Sequence, residues 1–141
     1  MIKVKILTIG KHKHSWLESA LEEYEKRLKP YMTIEWVLVK NDEQLLKLAH
    51  EAKNCICLDP KGVEMTSEAF ALQIERLIHQ KGAHLTFCIG GAEGLPSLLK
   101  NTALAVISLS KLTFTHQMTR LILLEQLYRS KEIFEGSGYH K

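Results

Sequence analysis

Three stretches of this 141-residue chain place glycines, acids, hydroxyls and cations directly after apolar runs: Leu58-Asp59-Pro60-Lys61-Gly62, Gly90-Gly91-Ala92-Glu93-Gly94-Leu95, and Ser108 to His116. A residue without a Cβ lets backbone approach a ligand closely. Gly90 and Gly91 therefore suit a flat ring or a ribose whose hydroxyls donate to Glu93 or Asp59, between apolar walls made by Leu58, Ile89, Leu109, Leu112 and Phe114. The chain ends in Tyr139-His140-Lys141 after Gly136-Ser137-Gly138. An aromatic ring beside cationic groups is what single-stranded RNA recognition uses, although an ordinary terminal tail has the same look.

Other chemistries lack their signatures. The glycine loop is neither GxGxxG with a spaced acid nor GxxxxGK[ST], and as a GGxxG turn it is weak evidence by itself. Ser108 and Ser110 have no GxSxG elbow. Cys55 and Cys57 face one side of a strand as small core residues. His12 and His14 have no two further ligands converging on them, so no metal is expected. His116 reads as a cap, a solvent-facing residue or a ligand contact, and its place at a loop-to-helix junction modestly favours the contact.

Alternating strands and helices must position these loops. Strands are expected over Ile2–Ile9, Thr33–Val39, Asn54–Asp59, His84–Ile89 and Ala103–Leu109, from β-branched and apolar runs closed by turn residues. Helical spacing predicts helices over Ser15–Lys29, over a short stretch capped by Asn41 or Asp42, from a Ser67 cap to about Gln80, over Leu95–Asn101, and over Gln117–Phe134. Ser15 with Glu18 reads as a capping box, Trp16 falls on the apolar face of its helix, and Pro60-Lys61-Gly62 reads as a turn. The expected class is α/β, a mainly parallel sheet with helices on both faces, whose ligand crevice lies beyond the strand carboxyl ends.

Composition narrows the setting. The length suits one domain spanning 1–141, and 45% hydrophobic content supplies a core. A net charge of +3 is too small to announce nucleic-acid binding, so phosphate contacts would need local clustering, with Lys111, Arg120, Arg129 and Lys131 as candidates. Three cysteines without a CxxC pair, no signal-peptide pattern and no membrane-length apolar run predict a soluble cytoplasmic protein.

Ile89 to Leu95, Ser108 to His116, Arg120 with Glu125-Gln126-Leu127-Tyr128-Arg129, and terminal Tyr139-His140 occur in that order. Together they resemble the ribosomal RNA large subunit methyltransferase H family over essentially the whole chain. The resemblance implies a minimal SPOUT-class enzyme that uses S-adenosylmethionine to methylate N3 of a pseudouridine in 23S rRNA. It implies an α/β fold with a C-terminal trefoil knot, and a homodimer in which the partner helps complete the active site. Carried over by position, Leu58, Gly90, Gly91, Ser110, Lys111, Leu112, Thr113, Phe114 and Thr115 line the cofactor pocket, and His116, Arg120, Tyr139 and His140 serve the RNA. Catalysis is placed on His140 and Tyr139: the sequence leaves the base open between His140 and Glu93, while Tyr139 stacks on or orients the nucleobase. Ala92 and Thr115 stand where prolines are common in the family, which questions local rigidity. An assembled ribosome is the expected target. The rivals are a flavodoxin-like small-molecule module without catalysis, and a SPOUT enzyme acting on tRNA, which the short chain argues against.

Overall fold

A computed structural model describes residues 1–52 and 54–140; Lys141, included above in the terminal motif, lies outside the described residues. Five strands and five helices alternate: β1 (Ile2–Ile9), α1 (Ser15–Leu28), β2 (Met32–Val39), α2 (Asp42–Glu51), β3 (Cys55–Glu64), α3 (Ser67–Lys81), β4 (His84–Ile89), α4 (Ser97–Thr102), β5 (Ala105–Ser108) and α5 (His116–Glu135). The strands form one parallel sheet in the order β2-β1-β4-β3-β5. A flavodoxin-like sheet runs 2-1-3-4-5; here β3 and β4 have exchanged places, which removes that rival architecture.

Both faces are covered, as buried parallel strands require. On one face Val4, Ile6, Ile56, Leu85 and Phe87 pack with Leu17, Leu21 and Leu28 of α1, Phe70, Ile74 and Leu77 of α3, and Leu123, Leu124 and Leu127 of α5. On the other, Leu7, Val39 and the three free cysteines, Cys55, Cys57 and Cys88, meet Leu45 and Ala49 of α2 and Leu99 of α4. Each fully buried leucine contributes roughly 1.5–3 kcal/mol, so these two layers fix the strand ends as a rigid edge.

Local chemistry departs from the sequence reading in four places. The α1 N-cap is His14, whose side chain makes no capping bond, so Ser15 and Glu18 form no capping box. Trp16 is 53% exposed, because Leu17, Leu21 and Leu28 take the buried face of α1 and leave the indole outside it. Thr66, one residue before Ser67, caps α3 by accepting from the Ala69 amide. Finally, β3 does not end at Asp59. Leu58 and Val63 both register with Ile107 of β5, so residues 59–62 bulge out and the strand resumes. Proline is tolerated at such a bulge because it has no N–H to place in a ladder. Gly62 is required there: a Cβ would lie 2.7 Å from the Val106 carbonyl oxygen.

A cavity at the carboxyl edge of the sheet

All five strands are parallel, so their carboxyl ends lie on one edge, and the bulge of β3 with the loops that follow β4 and β5 lines a cavity of about 410 Å³. That volume is in the range of small-molecule sites. Its wall from the β3 bulge is Leu58 to Lys61; its wall after β4 is Ile89 to Leu95; its wall after β5 includes Leu109, Ser110, Leu112, Thr113 and Phe114, continued by His116 and Thr119 of α5.

Each wall is held by short-range chemistry. Asp59, nearly buried, accepts from the Lys61 amide at 2.8 Å and pairs with Lys100 of α4 at 3.3 Å, which ties the bulge to the helix beneath it. In the glycine loop Gly91 and Gly94 bridge, and a Cβ on Gly90 would stand 2.4 Å from the Gly94 carbonyl carbon. Gly90 thus serves the loop's own closure. At Gly91 a Cβ would meet only Ile9, at 3.7 Å, so this position is open to a ligand. The Ser108 hydroxyl donates to the Ser110 carbonyl and the Ser110 hydroxyl accepts from the Leu112 amide. These serines shape the loop, in keeping with the absence of a nucleophile elbow.

Of the residues assigned to the cofactor by resemblance, Leu58, Gly90, Gly91, Ser110, Leu112, Thr113 and Phe114 line this one cavity, and Lys111 and Thr115 do not. The Lys111 side chain is 83% exposed and reaches Glu64 at 3.6 Å. Thr115 is the N-cap of α5, its hydroxyl accepting from the Met118 amide. A threonine at this junction supplies a cap that proline could not. Lys100 and Thr119 were missed by sequence reasoning; both lie on helices, where periodicity reports burial and not proximity to a loop.

The four residues assigned to the RNA separate. His116 is the first residue of α5 and lines the cavity. Arg120 is fully buried, which corrects its placement on an RNA-facing surface. Its guanidinium donates to the Ile9 carbonyl at 2.8 Å and to Nδ1 of His12 at 3.0 Å, with Thr8 Oγ1 and His116 Nδ1 each at 3.5 Å. Arginine can only donate, so His12 accepts at Nδ1 and carries its proton on Nε2. Burial first, and then the neighbouring cation, hold the His12 and His116 imidazoles below their ordinary pKa, while burial brings the Arg120 guanidinium down to about 10, still protonated at neutral pH.

Tyr139 and His140 lie elsewhere. His140 contacts Glu68 at the start of α3 at 2.9 Å and Arg129 at 3.0 Å, and Tyr139 packs edge-on to Tyr128 with Arg129 over its ring. Roughly 20 Å of α5 separates Arg129 from His116 at 1.5 Å per residue. Within one chain, therefore, the tail does not reach the cavity. Three of the cations singled out in the sequence are paired: Arg129 with Glu125, Lys131 with Glu132 and Glu135, and Lys111 with Glu64.

Known proteins were compared with this geometry. Residues 2–140 match the family described as "Predicted SPOUT methyltransferase". The chain is 52% identical to ribosomal RNA large subunit methyltransferase H of Protochlamydia amoebophila over the whole of both chains. It is 41% identical to the protein of the same name from Halothermothrix orenii, covering 99% of this chain and 100% of that one. Among solved structures, a probable methylase family protein from Haemophilus influenzae superposes with a TM-score of 0.59 at 12% identity, covering 98% of this chain and 70% of that one. The SpoU methyltransferase AviRb from Streptomyces viridochromogenes, solved with AdoMet, superposes with a TM-score of 0.51 at 9% identity, covering 90% of this chain and 57% of that one. The distant structures establish the fold, and the full-length identities establish the lineage: the chain belongs to the ribosomal RNA large subunit methyltransferase H family of SPOUT methyltransferases.

Proposed function

We propose that this protein is an S-adenosylmethionine-dependent methyltransferase acting on N3 of a pseudouridine in the 23S rRNA of assembled large ribosomal subunits. The observation that carries the reading is the convergence of the β3 bulge and the loops after β4 and β5 on one cavity of nucleoside size. The residues present fit the cofactor: apolar Leu58, Ile89, Leu109, Leu112 and Phe114 offer walls for an adenine and a sulfonium, Gly91 leaves its backbone open, and Lys61 and Lys100 are cations near a carboxylate's reach.

S-adenosylmethionine, when bound, supplies an electrophilic methyl group whose transfer needs in-line alignment with the acceptor nitrogen. The chain supplies the alignment and a dry enclosure. His116, its imidazole kept below its ordinary pKa first by burial and then by Arg120, contacts the nucleobase from the cavity wall. The imide N3 must give up its proton, to His140 or to Glu93, and Tyr139 stacks on or orients the base.

The distance between cavity and tail supports a homodimer in which Tyr139 and His140 of one copy serve the cavity of the other. A two-fold arrangement makes both sites equivalent. Family membership and the β2-β1-β4-β3-β5 order support a C-terminal trefoil knot, and a ribosomal substrate supports a cytoplasmic location. Among the described residues no helix is long and apolar enough to cross a membrane.

The test is incubation with methyl-labelled S-adenosylmethionine and unmodified ribosomes or separated subunits, followed by nucleoside mapping. Label on a single 23S pseudouridine at N3 is the expected result. Label on tRNA, or on no RNA at all, would overturn the proposal.

A further inference from the structure

With Lys111, Arg129 and Lys131 paired, Arg120 buried and Lys61 set in the cavity wall, the positive charge that holds an RNA strand beyond the cavity has to come from other side chains. The loop between β1 and α1 carries it. Lys11, Lys13, His14 and Trp16 are all exposed, and among the described residues neither lysine has an ion-pair partner within 4 Å. The His14 ring lies parallel to Trp16, with an interplanar angle of 12° and centroids 5.5 Å apart. An indole 53% exposed beside two unpaired ammonium groups combines a stacking face with phosphate-binding charge.

Exposed loops are usually mobile, but this one is fastened to α5 at three successive residues. The Lys11 carbonyl accepts from Gln117 Nε2 and the Lys13 amide donates to Gln117 Oε1, both at 3.0 Å, while His12 accepts from Arg120. Gln117 and Arg120 are buried, so their grip does not depend on solvent. The same turn of α5 begins with His116, a wall of the cavity, and Ile9 stands against Gly91 in the opposite wall. The loop is thereby registered to the reaction site, its polar backbone satisfied and its cations and rings directed outward at little ordering cost.

We infer that the loop Lys11–His14 together with Trp16 is a docking surface for the RNA strand flanking the target nucleotide, its lysines taking phosphates and its stacked His14–Trp16 pair taking an unpaired base. This rests on the reading of the cavity as an RNA methyltransferase site and adds the surface that holds the flanking strand.

The experiment compares wild type with Lys11→Gln/Lys13→Gln and with Trp16→Ala in binding to unmodified large subunits over a series of salt concentrations, alongside methylation kinetics and calorimetry with S-adenosylmethionine alone. The double variant is expected to raise KM for the subunit about tenfold with a much smaller change in kcat, and to lower the slope of log affinity against log salt by about one and a half. Trp16→Ala is expected to raise KM to a similar degree with its salt slope unchanged, since stacking releases no counterions. S-adenosylmethionine affinity stays at the wild-type value in both. Unchanged KM and salt slope in variants of an active enzyme would overturn this inference alone. Failure of the wild type to bind subunits would overturn the functional reading with it. A Trp16→Ala protein that sediments as monomer where wild type is dimeric would assign the indole to a contact between copies and overturn its role in RNA binding.

Discussion

Arg120, fully buried in α5, donates to Nδ1 of His12 across 3.0 Å, joining the helix that starts at the cavity to the loop that follows the first strand. One further nitrogen of the same guanidinium holds the Ile9 carbonyl, and Nε has no partner. A buried cation with incomplete hydrogen bonding is an expensive way to stabilise a core. Its value here is positional, because it connects His116, His12 and the end of β1 through one rigid group.

Arg120→Ala removes that group and leaves the Ile9 carbonyl and His12 without their donor. The expected cost is about 3 kcal/mol in urea unfolding, in the range for truncating a large buried side chain. Arg120→Lys keeps the charge but not the fork, and is expected to recover stability only in part. A variant as stable as wild type would show that the guanidinium does not brace the loop.

Acid should loosen the same junction. The folded protein holds His12 and His116 below their ordinary pKa of 6.5, so between the folded and unfolded values the unfolded chain binds more protons. Their contribution is fully present above about pH 6.5 and is lost as pH falls through the lower folded values. Urea midpoints are therefore expected to drop as pH is lowered from 6.5, and the ring resonances of His12 and His116 to titrate below that pH. His12→Asn should flatten part of the dependence. Titration of both rings above 6.5 would reverse the sign and refute the assignment.

Two neighbouring glycines should respond differently to one methyl group. Gly90→Ala drives a Cβ into the backbone at Gly94, 2.4 Å away, so lowered thermal stability and lost cofactor binding are expected together. At Gly91 the new Cβ meets only Ile9 at ordinary contact distance. Gly91→Ala is therefore expected to fold with near-native stability yet bind S-adenosylmethionine at least about tenfold more weakly, equivalent to roughly 1.4 kcal/mol. Equal cofactor affinity in Gly91→Ala and wild type would move the ligand away from this wall.

Separation of cavity and tail predicts complementation. His140→Ala should bind cofactor normally and fail to methylate, while Leu112→Asp, with a charge in the cavity wall, should fail to bind cofactor. Mixed, unfolded and refolded together, two inactive homodimers are expected to give heterodimers with one intact site in two, hence about a quarter of wild-type activity. No recovery, with heterodimers demonstrated by mass, would place tail and cavity in the same chain or remove His140 from the reaction.

The ends of β4 and β5 were legible because their apolar runs stop sharply at Gly90 and Ser108, and parallel strands bring such ends to one edge. What stayed hidden depends on contacts distant in sequence. Pro60-Lys61-Gly62 has the composition of a turn, and only the shared register of Leu58 and Val63 on Ile107 makes it a bulge. Arg120 looks like a surface cation until β1 and the loop after it close over it. Trp16 has the spacing of a core residue, but Leu17, Leu21 and Leu28 hold the buried face of its helix. The distance of Tyr139 and His140 from the cavity is set by the length and direction of α5, which motif order does not encode.

Calorimetric titration of S-adenosylmethionine into the wild-type protein and into Leu112→Asp, with flavin mononucleotide as the control ligand, addresses the slot at the carboxyl edge of the sheet most directly. The account predicts saturable heat for S-adenosylmethionine with wild type, none with Leu112→Asp, and none for the flavin with either. Absence of S-adenosylmethionine binding to the folded wild-type protein, or equal binding by Leu112→Asp, would contradict it.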